Sequence, residues 1–240
     1  MTTIKTTLLA GTAALALSFA AGSAQAAFIG ASPLGFQSND VFDKPPLEGW
    51  YDANLYLFAS PSATVEVYYL GKEAGYNNRF ILNHAAGTLT HDTGAGSGNN
   101  ADYFLPPATP APPLLGTVTL TAGLLDFSFI ANLTGTPKTV TNGTNDYAPA
   151  KPNFFLTFTS GDPFALASWD STVNGSTLAG GTSVIIALDD SGAGPDDNHD
   201  DMVILLRISN GEFSVPEPAS LALLGMGLLG LGFAARRRRA

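Results

Sequence analysis

The sequence predicts an all-β domain, a single β-sandwich or jelly roll, and three observations support that prediction. Apolar and polar residues alternate with a period of two in several segments, which gives each strand one apolar and one polar face. Turn-forming Gly, Pro, Asn and Asp residues separate these segments. Between residues 27 and 215 we find no convincing amphipathic helix. Many short strands joined by regular turns are typical of a sandwich.

The predicted strands fall into two kinds. Four segments alternate and should each have one polar face: residues 64–69, 117–121, 125–129 and 154–159. Residues 184–188 and 202–208 are almost continuously apolar, which is typical of strands buried on both faces at the centre of a sheet. Stretches rich in Gly, Asn and Pro at 94–100, 106–113 and 134–152 are predicted to be surface loops.

Residues 1–26 read as a secretory signal peptide. A single lysine precedes an apolar run from Leu8 to Ala21. Ala24 and Ala26 then form the small-residue pattern that signal peptidase accepts, so we expect cleavage before Ala27. The alternative is a retained transmembrane helix, which the shortness of the run and the cleavage pattern disfavour.

The C-terminal tail predicts a single membrane-spanning helix. Residues 219–235 carry no charge, and as a helix their length is roughly 25 Å, about the minimum for crossing a bilayer core. Pro216 and Pro218 should keep the chain before this helix extended. Four consecutive arginines follow the span and predict a cytoplasmic C-terminus: Arg236, Arg237, Arg238 and Arg239.

The tail also resembles a known sorting signal. The segment Val215 to Ser220, the apolar span and the arginine cluster, in that order, are similar to the PEP-CTERM signal. The resemblance implies that an exosortase, a membrane-embedded cysteine transpeptidase, recognises Pro216, Glu217 and Pro218 and cuts nearby. It also implies a Gram-negative host that makes exopolysaccharide and biofilm. The chain then divides into a signal peptide (1–26), an ectodomain (27–213) and a sorting signal (214–240).

The composition of the middle region excludes several classes of function. Without Lys5, Glu217 and the four arginines, 6 basic and 19 acidic residues remain, a net charge of −13. Nucleic-acid binding is therefore disfavoured, because phosphate contacts need basic patches. The chain has no cysteine, which removes disulfides, thiol catalysis and cysteine-ligated metals.

The segment Asp189–Asp201, here called the acidic loop, is the strongest candidate site. It joins the two most apolar strands and is long for a hairpin connection. Carboxylate and amide oxygens are ligands that Ca²⁺ prefers. The predicted calcium ligands are Asp189, Asp190, Asp196, Asn198, Asp200 and Asp201. The loop and its following strand also resemble an acidic segment of exported bacterial β-domains that is suspected to hold calcium. The alternative is a solvated acidic turn.

Two further sets of residues are weaker candidates. Glu73 and Asn77 follow a predicted strand and could reach a shared metal, although Gly and Asn residues around them are also ordinary for a turn. Trp50 and Trp169 could stack on sugar rings, but large aromatic residues also commonly fill the core of a sandwich.

Taken together, these features predict an exported, non-enzymatic protein of the cell surface or extracellular matrix. Signal peptidase and an exosortase are its expected processing partners, and extracellular polysaccharide is its expected environment. It should be anchored in the inner membrane before processing and lie at the surface or in the matrix afterwards. The alternatives are a carbohydrate-binding module for the host's exopolysaccharide and a polysaccharide hydrolase, although no catalytic motif supports the latter.

Overall fold

The computed structural model describes residues 28–39, 47–94, 112–146, 148, 150–165, 168–169, 180–192 and 198–209. These residues form strands and turns without an α-helix. The strands are β1 (Phe28–Asn39), β2 (Leu47–Gly71), β3 (Arg79–His84), β4 (Gly87–Asp92), β5 (Leu114–Leu124), β6 (Phe127–Ala131), β7 (Lys138–Thr141), β8 (Asn153–Thr159), β9 (Gly180–Gly181), β10 (Ser183–Asp189) and β11 (Met202–Ile208).

The strands form two antiparallel sheets. The large sheet has the order β11-β10-β8-β2-β1-β9, and β5 pairs with β2 beside this path. The small sheet has the order β4-β3-β6-β7. β2 is 25 residues long, so it pairs with β8 at Trp50 and with β11 from Val65 onwards. The strands β2, β8, β10 and β11 therefore form a closed circuit of pairings within the large sheet.

The all-β prediction is confirmed, and each of the six predicted strand segments coincides with or overlaps a strand. The two apolar segments became β10 and β11, and β10 lies between β11 and β8 in the sheet. Every residue of β10 is buried, as expected for a strand covered on both faces. The predicted loop at 134–152 is partly wrong, because it contains the short strand β7.

The main hydrophobic core lies between the two sheets. Phe127 and Phe129 of the small sheet meet Phe154 of the large sheet, with ring centroids 5.2 and 6.3 Å apart. A second cluster covers the opposite face of β8, β10 and β11, where Phe155 packs with Tyr51 at 5.2 Å between centroids. Two-sided burial explains why β10 and β11 are almost entirely apolar. β8 is also buried throughout, although Thr157 and Thr159 lie on its second face.

A buried asparagine joins the sheets at the end of β7. Asn142 is 5% exposed, and its Oδ1 accepts a hydrogen bond from the Leu55 amide at 2.8 Å. Its Nδ2 donates to the carbonyl oxygens of Leu55 and Leu125 at 2.8 and 2.7 Å. Both ends of the carboxamide are therefore used by neutral backbone groups.

Both predicted terminal segments lie outside the described residues. They are the signal peptide, which includes Ala24 and Ala26, and the predicted membrane-spanning segment 219–235. Among the described residues, no helix has the length and hydrophobicity needed to cross a membrane.

Candidate functional site

The acidic loop meets the turn after β2 at one end of the large sheet. The loop connects β10 to β11, and β11 pairs with the end of β2. The Glu73 amide donates a 2.8 Å hydrogen bond to the Asp200 carbonyl, which joins the two segments. A cleft of about 380 Å³ opens here, and its lining residues are Glu73, Ala74, Gly75, Tyr76, Asp190, Ser191, Asn198, Asp200 and Asp201. Its wall therefore carries four carboxyl groups.

Asp189 forms the turn that begins the acidic loop. Its buried Oδ1 accepts hydrogen bonds from the amides of Ser191 and Gly192 at 2.9 and 2.7 Å. Asn153 Nδ2 donates to the other oxygen at 3.3 Å. Gly192 has a φ of 84°, and a Cβ there would lie 2.2 Å from the Lys151 carbonyl oxygen, so the turn requires glycine. Asp189 thus acts as a turn-forming acceptor.

Asn78 is fully buried and ties the acidic loop to the small sheet. Its Nδ2 donates to Asp190 Oδ2 at 2.8 Å and to the Asp201 carbonyl at 3.2 Å. Its Oδ1 accepts a hydrogen bond from the Asn132 amide at 3.0 Å, just beyond the end of β6. The Asn78 backbone N–H donates to Thr93 Oγ1 at 2.7 Å. This residue therefore fixes the position of the Asp190 carboxylate against both sheets.

Asp201 is the carboxyl group of the cleft whose pKa is raised most clearly, and it lies against Asp190. The Asp190 amide donates to Asp201 Oδ2 at 2.6 Å. Burial, followed by the charge of Asp190 and smaller effects of Asp189 and Asp200, raises the pKa of Asp201 to about 8. A carboxyl group in such surroundings is protonated at neutral pH unless a positive charge compensates it.

Lys72 provides one positive charge beside the cleft. The side chain is 2% exposed, and Nζ donates to the carbonyl oxygens of Tyr76 and Gly94 at 3.2 and 2.5 Å. Burial lowers the pKa of Lys72, whereas the charges of Asp190 and Asp201 raise it. One ammonium group beside four carboxyl groups leaves negative charge in excess at the cleft.

His199 belongs to the core. It is fully buried, and its ring lies edge-on to Tyr51 at 5.0 Å and near Phe155 at 6.0 Å. Burial lowers the pKa of His199 to about 3, so the ring is neutral at physiological pH. Nε2 lies 2.6 Å from Asn153 Oδ1, and that amide oxygen can only accept, so Nε2 carries the proton. His199 therefore does not offset the carboxylates.

Most of the predicted calcium ligands lie together. Four of them line the cleft: Asp190, Asn198, Asp200 and Asp201. Asp189 lies in the turn behind it, and Asp196 is outside the described residues. The donors are oxygens only, which fits a hard cation such as Ca²⁺ better than zinc. Within the described part of the chain, however, no three Asp, Glu, His or Cys side chains are arranged to hold a metal ion.

The sequence located the segment after β2 but not its important residues. Glu73 does line the cleft, whereas Asn77 Oδ1 accepts from the Thr134 amide and hydroxyl at 3.1 Å each. Lys72 and Asn78 were not singled out. The partner of Asn78, Asp190, is 112 positions away, and no local pattern signals a contact at that separation.

The burial of both tryptophans argues against the sugar-stacking prediction. Trp50 is 5% exposed and lies in the main core, where its ring packs against Phe158 at 5.6 Å. Trp169 is 2% exposed, and its Nε1 donates to the Pro163 carbonyl at 3.0 Å. Neither ring offers a free face, and a stacked sugar needs one. The bulk of the indoles explains their place in the core.

The fold and the cleft define a broad class, an all-β domain with an acidic cleft built on a buried polar network. The tail is more specific. Residues 214–239 match the family model of the PEP-CTERM protein-sorting motif, so the predicted sorting signal is confirmed. The motif implies export, membrane-anchored sorting and processing by exosortase-type machinery. No curated protein and no solved structure matches the chain.

Proposed function

We propose that this chain is a non-enzymatic surface or extracellular-matrix protein whose all-β ectodomain is exported, anchored briefly through its tail and then processed. The observation that carries this proposal is the PEP-CTERM motif at residues 214–239. The signal peptide (1–26), the sandwich-like ectodomain (27–213) and the spanning helix in the tail complete the proposal. Association with exopolysaccharide or biofilm follows from the resemblance of the tail alone.

Substitution of the motif glutamate tests the processing step. Glu217→Gln removes the charge between Pro216 and Pro218, and Glu212→Gln makes the same change outside the matched segment. In the native host, we expect the unmodified chain and Glu212→Gln to lose the arginine cluster, as intact-mass measurement would show. Glu217→Gln should accumulate uncut in the membrane fraction. A mature protein that keeps Arg236–Arg239 would contradict the proposal.

We further propose that calcium binds at the acidic loop and stabilises the exported domain. Support comes from the excess of carboxyl groups over Lys72 at the cleft and from the oxygen-only donor set. The described side chains do not form a complete metal site by themselves. Binding therefore requires Asp196, backbone carbonyl groups or water to complete the coordination, which Ca²⁺ commonly accepts. The alternative is a cleft without a bound cation, whose charge is offset in part by Lys72 and by a proton on Asp201.

A further inference from the structure

The strand β5 differs from the other outer strands of the two sheets. It pairs with β2 along one edge, and no other strand of the described chain pairs with its second edge. It is 11 residues long and has the uncharged sequence LLGTVTLTAGL. The strands at the ends of the two sheets are short, with six residues in β4, four in β7 and two in β9. The edge of β1 beyond Gly30 also has no partner strand among the described residues, but it contains Pro33. β4 also carries Asp92, and β7 carries Lys138.

Proteins normally protect exposed strand edges, because unpaired backbone N–H and C=O groups attract another strand. Short length, charged side chains and proline are the usual protections. β4, β7 and β9 have at least one of these features. β5 has neither a charged residue nor a proline within its bounds, and the irregularities in its ladder with β2 lie on either side of the run from Gly116 to Thr121. The chemistry of this edge therefore specifies its partner as an extended strand.

β5 is also held firmly enough to present that edge. Val118 and Leu120 are 6% and 3% exposed and belong to the main core, which anchors the strand to its own domain. Thr117, Thr119 and Thr121 alternate with them and are exposed. Threonine on an exposed face is compatible with strand pairing and with solvent.

The sequence of β5 is self-complementary about Thr119. In an antiparallel pair centred there, Thr119 faces Thr119 of a second copy, and Thr117 faces Thr121. The regular pairing extends from Gly116 to Thr121, because the ladder of β5 with β2 is irregular on either side of that run. Leu114 and Leu124 flank the run and are 52% and 48% exposed. A two-fold pairing would bring these leucines toward the same interface and satisfy both backbone edges at once.

We propose that β5 is a self-association edge that pairs antiparallel with β5 of a second copy of this chain, centred on Thr119. The pairing joins two large sheets into one continuous intermolecular sheet. A single strand pair is a small interface, so association should depend on local concentration. Neighbouring copies held at one surface or matrix would meet this condition.

Cysteine cross-linking of the full chain in membranes tests the proposal, because the chain contains no cysteine of its own. Directly opposite residues in an antiparallel pair have Cα atoms about 4.5 to 5.5 Å apart, a separation that a disulfide can span. With added oxidant, Thr119→Cys should give several-fold more disulfide-linked dimer than Thr90→Cys. Thr90 is the matched control, an exposed threonine on the outer strand β4.

The register is tested by two further variants. Thr117→Cys and Thr121→Cys, expressed together, should form a mixed dimer several-fold more abundant than the dimer of either variant alone. Equal amounts of dimer from Thr119→Cys and Thr90→Cys would overturn the proposal. The absence of any Thr119→Cys dimer would also overturn it, because that result is expected if another part of the chain covers the edge. Thr117→Cys alone cross-linking as well as the mixture would show random collision and would also overturn it.

Discussion

Asn78 and Asn142 are both buried asparagines that join the small sheet to the large one, but their partners differ in charge. Asn142 bonds only to the backbone of Leu55, Leu125 and Phe127. Asn78 bonds to the carboxylate of Asp190 and to the carbonyl of Asp201. Both sites satisfy their polar groups, which a stable interior requires. Only the Asn78 site carries net charge, so only its stability should depend on pH and on cations.

The largest expected effect comes from placing a carboxylate at each site. Asn142→Asp places a carboxylate beside the carbonyl oxygens of Leu55 and Leu125. Asn78→Asp places a carboxylate beside Asp190 of the acidic loop. In chelator at neutral pH, each should lower the free energy of unfolding by about 3 to 5 kcal/mol, as an uncompensated buried charge does. Millimolar calcium should restore much of the loss in Asn78→Asp and none in Asn142→Asp. Equal responses in denaturant titrations would remove the distinction between the sites.

Removing the neutral carboxamide should have a smaller effect that is independent of solution conditions. Asn142→Ala leaves the buried Leu55 amide without its acceptor. The expected loss is about 2 kcal/mol, within the range for an unsatisfied buried donor. Denaturant unfolding should give the same loss with calcium or chelator and from about pH 6 to pH 8. Thr144→Ala, at an exposed position nearby, is the control and should cost less than about 0.5 kcal/mol.

The smallest expected effect is the pH dependence of the calcium-free domain. Burial and Asp190 raise the pKa of Asp201 to about 8, so the stability from this group is complete below about pH 4 and is lost as the pH rises toward 8. Burial lowers the pKa of His199 to about 3, so its contribution is complete above about pH 6.5 and is lost as the pH falls. Between about pH 4 and pH 6.5 the two contributions to stability change in opposite directions.

Thermal melts in chelator at several pH values would measure this dependence. Stability should decline above about pH 6.5, because the His199 contribution is complete there and the Asp201 contribution is still being lost. Asp201→Asn should remove most of that decline, because the amide does not titrate. Asp126→Asn, at an exposed position, should leave it in place. If Asp201→Asn shows the same decline of stability above about pH 6.5, other titrating groups cause that decline.

Local pattern was enough to predict the central strands of the fold. Residues 202–208 are apolar except for Arg207 because both faces of β11 are largely buried, and the period of two in 154–159 and 117–121 predicted β8 and β5. β7 was not predicted, because a strand of four residues between turn-forming residues has too short a pattern.

The site was only partly predictable, because its organisation is non-local. The acidic loop was visible as a cluster of aspartates. Its contacts with Asn78 and the nearby charge of Lys72 arise from the pairing of β11 with the end of β2. His199 lies within the same acidic loop, and only its burial beside Tyr51 shows that it is a neutral core residue.

The most direct test of the calcium-stabilised domain is thermal melting of residues 27–215 in millimolar calcium and in excess chelator. A ligand bound only by the folded state raises the melting temperature, here by about 4 to 8 °C for a gain of about 2 kcal/mol. Asp196→Asn with Asp200→Asn should abolish the rise, and Asp126→Asn with Asp146→Asn, both at exposed positions, should not. Identical melting temperatures in calcium and chelator would contradict the account and leave the cleft without a bound cation, its charge offset only in part by Lys72 and a proton.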